Sequence, residues 1–406
     1  MMHRVTRMNI NTWNADFYLQ DRRGAGANSS VTIQCMKVRW KHFSSLLCAF
    51  CALTISACDQ GSNATPLVQR PASTRAAAAQ HVLVISVDGL RGDALGAPWI
   101  EQLPAFSQLL VGPHTLQARC DPDISVTLPN HVGMATGRLF IGEDGHGWLP
   151  NIDPPIASKG GTLHATHDRY TASMFDVAHD AGARTGLFSM KSKFILFEQS
   201  YNDQAGAPSL GLRDAGRDKI DAFESALESE DLARKAIRFL HQAEASQNSS
   251  LAFLHFADPD IAGHGDVWEL SPNSFYLEAI HVVDCALGEI LAAIACDPSL
   301  RGRVAIILTS DHGGGNPPYS HTVHTDPLNF TIPFVVWNGT LPSIELYTVA
   351  STARSTPSAS ERATPNAAPP IRNADAGNTA LTLLGLPAIP GSTVNARQDL
   401  LGELLP

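Results

Sequence analysis

The chain has 406 residues, of which 44% are hydrophobic, and this is enough to bury one large core, or one core with a smaller second lobe. Its formal net charge of −10 argues against a nucleic acid polymer as ligand, because phosphate backbones are bound by clusters of Lys and Arg that the sequence lacks. A small anionic substrate would need a local positive centre, such as a metal ion.

The first 80 residues predict export. Residues 1–35 are polar and without periodicity, so we expect that translation starts at Met36 and that they are not part of the native protein. Residues 36–57 combine a basic start with an apolar run of signal-peptide length, and Ile55-Ser56-Ala57-Cys58 resembles a bacterial lipobox. A lipidated Cys58 would anchor the protein in the cell envelope, facing the periplasm, and would be its only membrane contact. The alternative is a plain secretory signal in which Cys58 is incidental.

Small polar residues over 58–80 predict a flexible tether, and a single folded domain is expected over 81–401. Short apolar runs alternate there with helical patterns, which is typical of an α/β domain with a mainly parallel central sheet flanked by helices. Helices are predicted over Ser271–Ile294 and Asp221–Ala245. Residues 348–370 are low in complexity and are interpreted as an insertion that does not fold by itself.

Acidic residues follow three buried strands of the predicted sheet. Val82–Val87 leads into Asp88, Leu251–Phe256 into Asp260, and Val304–Thr309 into Asp311. In open α/β sheets, ligands bind beyond the carboxyl ends of the strands, so these carboxylates are expected at one edge. One such aspartate is more often a helix cap or a turn residue, but three of them, two closely followed by histidine, favour a site.

Histidines complete a set that could bind a metal ion. Asp260 and His264 stand four residues apart, and Asp311 adjoins His312. Asp88 offers another oxygen, and either His321 or His324 another nitrogen. Zinc accepts such mixed oxygen and nitrogen ligands, although manganese and iron suit them as well.

Two divalent metal ions would use all of these groups. A pair about 4 Å apart can hold both the entering and the leaving oxygen of a phosphoryl group. Thr127, in the stretch Asp123–Gly133, could be its nucleophile, because coordination to a divalent metal favours the alkoxide. Taken alone, the same stretch is an ordinary turn, in which Pro129 and Asn130 shape the backbone.

Four segments, in order, resemble the motifs of the nucleotide pyrophosphatase/phosphodiesterase family of the alkaline phosphatase superfamily. They are His81–Arg91, Thr127–His131, Asp258–His264 and Thr309–Gly313. The resemblance implies an alkaline phosphatase-like fold and a phosphothreonine intermediate on two metal ions. One ion would be bound by Asp88, Thr127, Asp311 and His312, and the other by Asp260, His264 and His321, with His324 as the alternative to His321.

The resemblance also implies that Asn151 stabilises the transition state, although Asn151 could equally cap a turn. The expected activity is a phosphodiesterase or nucleotide pyrophosphatase for a small phosphoester. The alternatives are a phosphomonoesterase, a phosphonate hydrolase, a transferase of a phosphoryl-linked group or, remotely, an inactive envelope binding protein. A sulfatase is disfavoured because no Cys-x-Pro-x-Arg pattern supplies its nucleophile. Lys191 and Lys193 are interpreted as part of a charged surface loop.

Overall fold

Seven strands form one mixed sheet, in the order β2-β7-β6-β1-β5-β3-β4. The computed structural model describes residues 77–209, 216–362 and 368–405, all within one compact unit, Pro66–Pro406. The predicted leader, lipobox and tether, as far as residue 76, lie outside the described residues. The strands are β1 (His81–Val87), β2 (His114–Arg119), β3 (Arg184–Ser189), β4 (Ala222–Ser225), β5 (Ser250–Phe256), β6 (Val304–Thr309) and β7 (Thr331–Trp337).

Strand β7 runs antiparallel to both of its neighbours, β2 and β6, and the other pairings are parallel. The predicted mainly parallel α/β sheet is therefore confirmed. The helices are α1 (Pro104–Leu109), α2 (Thr127–Thr136), α3 (Met174–Asp180), α4 (Ile195–Tyr201), α5 (Ser229–Ala245), α6 (Asp258–Asp266), α7 (Phe275–Cys296), α8 (Pro327–Phe330), α9 (Leu346–Val349) and α10 (Ala376–Leu383).

Hydrophobic cores lie on both faces of the sheet. Along β1, Val82 and Val84 belong to one core, whereas Leu83, Ile85 and Val87 belong to the other. Successive side chains of a strand point to opposite faces, so a strand covered on both sides reads as a continuous apolar run. Helices α2, α3, α4 and α10 contribute to the first core, and α1, α5 and α7 to the second.

Helix α7 begins later than the predicted Ser271–Ile294 and ends at Cys296. Its N-cap is Ser274, whose hydroxyl accepts a hydrogen bond from the backbone N–H of Leu277. Pro272, inside the predicted range, precedes the cap. The helix is long and apolar enough to cross a membrane by length and composition alone, but half of its most apolar window is buried in the domain. It is the central helix of the second core.

The predicted helix over Asp221–Ala245 is wrong in its first part. Its first turn is strand β4, which pairs in parallel with β3 at the edge of the sheet, and α5 begins only at Ser229. A strand of four residues carries too little periodicity to be distinguished from a helical turn. Within α5, Leu232 and Leu240 are buried, whereas Ile237 is only half-buried.

Edge strand β2 is flanked by the insertion at residues 348–370. Isolated bridges join His114, at one end of β2, to Glu345, and Arg119, at the other end, to Arg372. The chain therefore leaves one end of β2 before the insertion and returns to the other end after it.

Two buried arginines fix the described part of the insertion. The guanidinium of Arg119 donates from Nε to the carbonyl of Glu361 at 2.7 Å and from Nη2 to that of Ser358 at 2.9 Å. Arg372 donates from Nη2 to the carbonyl of Arg362 at 2.7 Å. The low-complexity segment thus gains its order from the domain, because its own side chains offer little apolar surface to bury.

Candidate active site

Two groups of carboxylates and imidazoles lie at the carboxyl edge of the sheet. In each group the potential ligand atoms lie within 4.8 Å of one another. The first consists of Asp88, Asp311 and His312, all buried, and the second of Asp260, His264 and His321. These are the two sets expected from the sequence. His321 belongs to the second set, and His324 is in neither.

The groups meet because β6, β1 and β5 are neighbours in the sheet and run in the same direction. Gly89 permits the close approach of the first group to the second. Its φ is +73°, and a Cβ at this position would lie 3.0 Å from Cα of Asp260. Its backbone N–H donates to Oδ1 of Asp311 at 3.1 Å. The turn after Asp88 thus links all three strand ends.

The three histidines present the same nitrogen to the carboxylates. Nδ1 lies next to a backbone carbonyl in each case, at 2.8 Å for His312, 2.5 Å for His321 and 2.9 Å for His264. A carbonyl only accepts, so the proton must be on Nδ1, and Nε2 carries a lone pair. Carbonyl-oriented imidazoles of this kind are typical metal ligands. Burial lowers the pKa of His312, and that of His321 to about 3, so both rings are neutral.

The unpaired atoms of the site show that a cation fits there. Four buried atoms have no hydrogen-bond partner among the described residues: Asp88 Oδ1, Asp311 Oδ2, His312 Nε2 and Asp260 Oδ1. His312 Nε2 lies 3.1 Å from Asp311 Oδ2, and His264 Nε2 lies 3.4 Å from Asp260 Oδ1. The contact of His312 places a nitrogen lone pair against a carboxylate oxygen, and buried unpaired acceptors are costly unless a cation binds them.

The carboxylates influence one another's ionisation. Burial would raise the pKa of Asp88, but the ammonium of Lys191 and the hydrogen bond from His255 outweigh it, and the pKa lies well below its ordinary value. The pKa of Asp311 is raised well above its ordinary value by burial, and the charge of Asp88 adds to the rise. Asp88 is therefore held ionised, and Asp311 is the carboxylate whose ionisation most needs a bound cation.

Thr127 is the first residue of α2 and is buried. Its hydroxyl has no hydrogen-bond partner within the described ranges, whereas that of Thr136, on the same helix, donates to the carbonyl of Val132. The backbone around Thr127 is tied to both groups. His131 donates from Nδ1 to the Thr127 carbonyl at 2.7 Å, and the same nitrogen lies 3.8 Å from Oδ2 of Asp311. Ser125, two residues before Thr127, donates from Oγ to the carbonyl of His321 at 2.5 Å.

Asn130 shapes the turn before Thr127, as predicted. Its Nδ2 donates to the carbonyls of Ile124 and Val126 at 3.0 Å each, and its Oδ1 accepts from the backbone N–H of Asp121 at 2.9 Å. All of the polar atoms of the Asn130 amide are thus used inside the fold.

Asn151 has a fixed amide orientation. Its Oδ1 accepts from the backbone N–H of Leu128 at 2.8 Å and from Nζ of Lys193 at 3.1 Å. Because both partners are donors, Oδ1 must face them, and Nδ2 is left available as a donor beside the start of α2. The structure thus places Asn151 next to Thr127.

The interpretation of Lys191 and Lys193 as a charged surface loop is wrong. The ammonium of Lys191 contacts Oδ2 of Asp88 at 2.5 Å and Oδ2 of Asp260 at 2.6 Å, and only 17% of the side chain is exposed. Burial, and then the charge of Lys191, lower the pKa of Lys193 to about 8. Both lysines follow β3, which lies beside β5 in parallel. Their place at the site follows from this pairing of β3 with β5.

Two fully buried histidines lie beneath the site and were missed. His255, inside β5, places Nε2 at 2.9 Å from Oδ2 of Asp88 and Nδ1 at 3.2 Å from Oγ of Ser189. His131 places Nε2 at 2.8 Å from Oγ of Ser86. Burial lowers the pKa of both. An imidazole in the middle of an apolar strand, as in the sequence around His255, is the signal that could have found the first of them.

Aromatic side chains that could have flanked the substrate belong to the core instead: Phe175, Phe194, Tyr201, Trp268 and Tyr276 are all buried. Trp268 packs against the second group, with its ring centroid 5.1 Å from that of His264.

A surface cavity of about 450 Å³, lined by Gln80, Ser249 and Arg303, lies at the opposite edge of the sheet, before β1, β5 and β6 begin.

Comparison with solved structures shows the alkaline phosphatase-like fold. A protein in the alkaline phosphatase superfamily from Vibrio parahaemolyticus is 13% identical, with a TM-score of 0.50 and coverage of 80% of this chain and 70% of that chain. The putative sulfatase yidJ from Bacteroides fragilis is 15% identical, with a TM-score of 0.50 and coverage of 82% and 80%. Murine ectonucleotide pyrophosphatase/phosphodiesterase 5 is 25% identical over 57% of each chain, with a TM-score of 0.40.

No curated protein sequence matches this chain significantly. The sequence profile of the type I phosphodiesterase / nucleotide pyrophosphatase family matches residues 82–368, which include every residue of both groups as well as Thr127 and Asn151. The chain therefore belongs to the type I phosphodiesterase / nucleotide pyrophosphatase family, and its fold is the one seen in the alkaline phosphatase superfamily.

Proposed function

We propose that the protein hydrolyses phosphoesters, as a phosphodiesterase or nucleotide pyrophosphatase, through a phosphothreonine intermediate on Thr127. The observation that carries this proposal is the unpaired hydroxyl of Thr127 at the start of α2, on a backbone tied to both groups of potential metal ligands. Family membership supports the reaction class.

Two divalent metal ions, with zinc the first choice, would be held by the residues of the two groups. Asp88, Asp311, His312 and the Thr127 hydroxyl would hold one, and Asp260, His264 and His321 the other. When bound, such a pair supplies positive charge to the entering and leaving oxygens of a phosphoryl group. The mixed ligands also suit manganese and iron.

The hydroxyl of Thr127 releases its proton to solvent, from which the leaving oxygen takes one up. The Thr127 oxygen forms a bond to phosphorus as the bond from phosphorus to the leaving oxygen breaks. The departing alcohol or nucleoside oxygen is protonated. Water then cleaves the phosphothreonine and restores the hydroxyl. The start of α2 favours negative charge on the Thr127 oxygen, because the first N–H groups of a helix point outward.

Asn151 serves as a donor to a non-bridging phosphoryl oxygen in this mechanism. Its Oδ1 is held by Leu128 and Lys193, so its Nδ2 is directed without a reorganisation cost in the transition state. Lys193 adds a positive charge beside it. Its ammonium touches only oxygens of Asn151 among the described residues, so a third N–H remains for a ligand.

A second candidate function follows from Lys193. An ammonium beside the non-bridging oxygens favours a substrate with more than the single negative charge of a phosphodiester. A phosphomonoesterase or a phosphonate hydrolase is therefore the second candidate.

For localisation and partners, the support is the sequence alone. We propose an envelope lipoprotein anchored through Cys58 that acts on a small phosphoester and binds no nucleic acid polymer.

The test is a comparison of an aryl phosphate monoester, an aryl phosphate diester and a nucleotide diester, with the purified protein supplied with zinc or manganese. We expect the diesters to be hydrolysed faster. A faster monoester would favour the second candidate, and a protein that binds no divalent ion and cleaves none of the three would be an inactive binding protein.

A further inference from the structure

Lys191 contacts one carboxylate from each of the two groups. Its Nζ lies 2.5 Å from Oδ2 of Asp88 and 2.6 Å from Oδ2 of Asp260. These contacts are charge-assisted hydrogen bonds in a nearly closed environment, since Asp88 is fully buried and Asp260 almost so. No other lysine or arginine among the described residues forms an ion pair with either carboxylate.

The two oxygens of each carboxylate have different surroundings. Oδ1 of Asp88 and Oδ1 of Asp260 have no hydrogen-bond partner among the described residues and face the imidazoles of their own groups. The Oδ2 atoms of both are turned to Lys191. The lysine thereby selects which oxygen of each carboxylate is left for a metal ion.

The position of Lys191 is fixed from its backbone as well as from its ammonium. Its backbone N–H donates to Oγ of Ser189 at 3.0 Å, and that hydroxyl lies 3.2 Å from Nδ1 of His255. His255 in turn places Nε2 at 2.9 Å from Oδ2 of Asp88. A carboxylate only accepts, so Nε2 carries the proton and Nδ1 accepts from Ser189. The contacts therefore form a closed ring: Asp88 contacts His255, His255 contacts Ser189, Ser189 contacts Lys191, and Lys191 contacts Asp88.

We propose that Lys191 is a positioning residue, an internal cation that joins the two metal groups and holds them assembled before any metal binds. The ammonium fixes the spacing between Asp88 and Asp260 and offsets part of their negative charge. The inference rests on the proposed two-metal site, but the contacts on which it depends lie within the protein itself. A lysine that only bound the substrate would have no need of both carboxylates.

The experiment compares Lys191→Met with wild type and with Lys193→Met, a matched control two residues away that removes an ammonium without touching either carboxylate. The first measurement is the thermal midpoint of the metal-stripped full-length protein. Lys191→Met leaves two buried carboxylates without their shared cation, so its midpoint is expected to fall by about 5 °C or more. The thermal midpoint of Lys193→Met is expected to shift by less than about 2 °C, because the ammonium that this variant loses is only partly desolvated. Equal shifts in the two variants would overturn the proposal.

The second measurement is the visible absorption of the protein titrated with Co²⁺, which reports on ligand geometry and which a purely structural effect elsewhere would not change. In Lys191→Met, the spectra of both the first and the second equivalent are expected to differ from wild type, because the lysine touches a carboxylate of each group. Wild-type spectra in Lys191→Met would overturn the positioning role. If wild type binds no cobalt at all, the proposed metal-dependent function fails, and the midpoint of the metal-stripped protein still decides whether Lys191 joins the carboxylates.

Discussion

The two ends of the central strands differ in how their polar groups are satisfied. At the amino end, His81 contacts Oγ of Ser250 at 2.9 Å and Oε2 of Glu244 at 3.0 Å, and Arg303 donates to Oε1 of Glu244 at 2.7 Å and to the side chain of Gln80. Every charge in this cluster has a partner inside the protein. At the carboxyl end, Asp88, Asp260 and Asp311 each retain a buried oxygen without one.

The difference separates a structural polar cluster from a site. Buried polar groups are normally hydrogen-bonded, and leaving one unpaired costs free energy. A cluster whose polar atoms are all hydrogen-bonded within the protein has none available for a ligand. A cluster with several convergent unpaired acceptors can bind a cation. The same strands carry both arrangements, so burial and charge alone do not identify the functional end.

The largest effect is expected at the carboxyl end from Thr127→Ala. We expect kcat to fall by about 10³-fold or more, because the nearby hydroxyls of Ser125 and Ser310 already donate to the carbonyls of His321 and His312. Metal content, measured by elemental analysis, should remain close to that of wild type. The control is Thr136→Ala on the same helix, whose hydroxyl bonds within α2. Retained turnover in Thr127→Ala, or an equal loss in Thr136→Ala, would remove Thr127 as the nucleophile.

The next largest effect is expected from His321→Asn compared with His324→Asn. His321 belongs to the second group of potential ligands, and His324 does not. His321→Asn should bind one divalent ion fewer per chain and lose about a hundredfold in kcat/KM. His324→Asn should keep both ions. Metal content by elemental analysis checks this, and the opposite pattern would show that His324 is the ligand.

A smaller effect is expected from the ionisation of Lys193. Because burial and Lys191 lower its pKa to about 8, the ammonium is charged below that pH and neutral above it. Bound divalent cations would lower the pKa further. The kcat/KM for an aryl phosphate monoester should therefore fall by up to about tenfold as the pH rises through about 8 or somewhat below.

Lys193→Met should remove that step from the pH profile and lower the plateau at acidic pH to the level of the alkaline arm. A diester, with less negative charge, should respond less to either change. A step that persists unchanged in Lys193→Met would assign it to another group.

The smallest effect is expected at the amino end, from Glu244→Gln. The free energy of unfolding should fall by about 1 kcal/mol, since a neutral amide weakens two charge-assisted hydrogen bonds at a partly exposed position. Urea unfolding measures this change. Turnover should stay at the wild-type level, and a loss of turnover would contradict the division between a structural end and a functional end of the strands.

The sequence was sufficient for the residues that directly follow apolar strands. Asp88, Asp260 and Asp311 were predicted at one edge because a parallel sheet with strand-end acids has few other arrangements. Asn151 required the family resemblance. Thr127 became a candidate only through the predicted metal ligands elsewhere in the chain, since nothing in a threonine before Leu-Pro-Asn-His requires chemistry.

Lys191 could not be placed from the sequence without knowing the strand order. Its strand, β3, carries no acid at its end, and the pairing of β3 with β5 is a long-range contact that local periodicity does not encode. The same limit explains the error at β4, which becomes a strand only because β3 offers it an edge. His255 was missed because a histidine inside an apolar strand is more often a satisfied core residue than part of a site.

The insertion between residues 348 and 370 has a consequence for solubility. An edge strand presents unpaired backbone donors and acceptors to which another chain can add a strand of its own. On the outer edge of β2, the bridges from His114 to Glu345 and from Arg119 to Arg372 occupy its two ends, and Arg119 holds the intervening segment nearby. A low-complexity segment of Ser, Thr, Ala and Pro is a poor strand former itself. The described part of the segment therefore covers this edge without offering a new one, an arrangement that disfavours edge-to-edge aggregation.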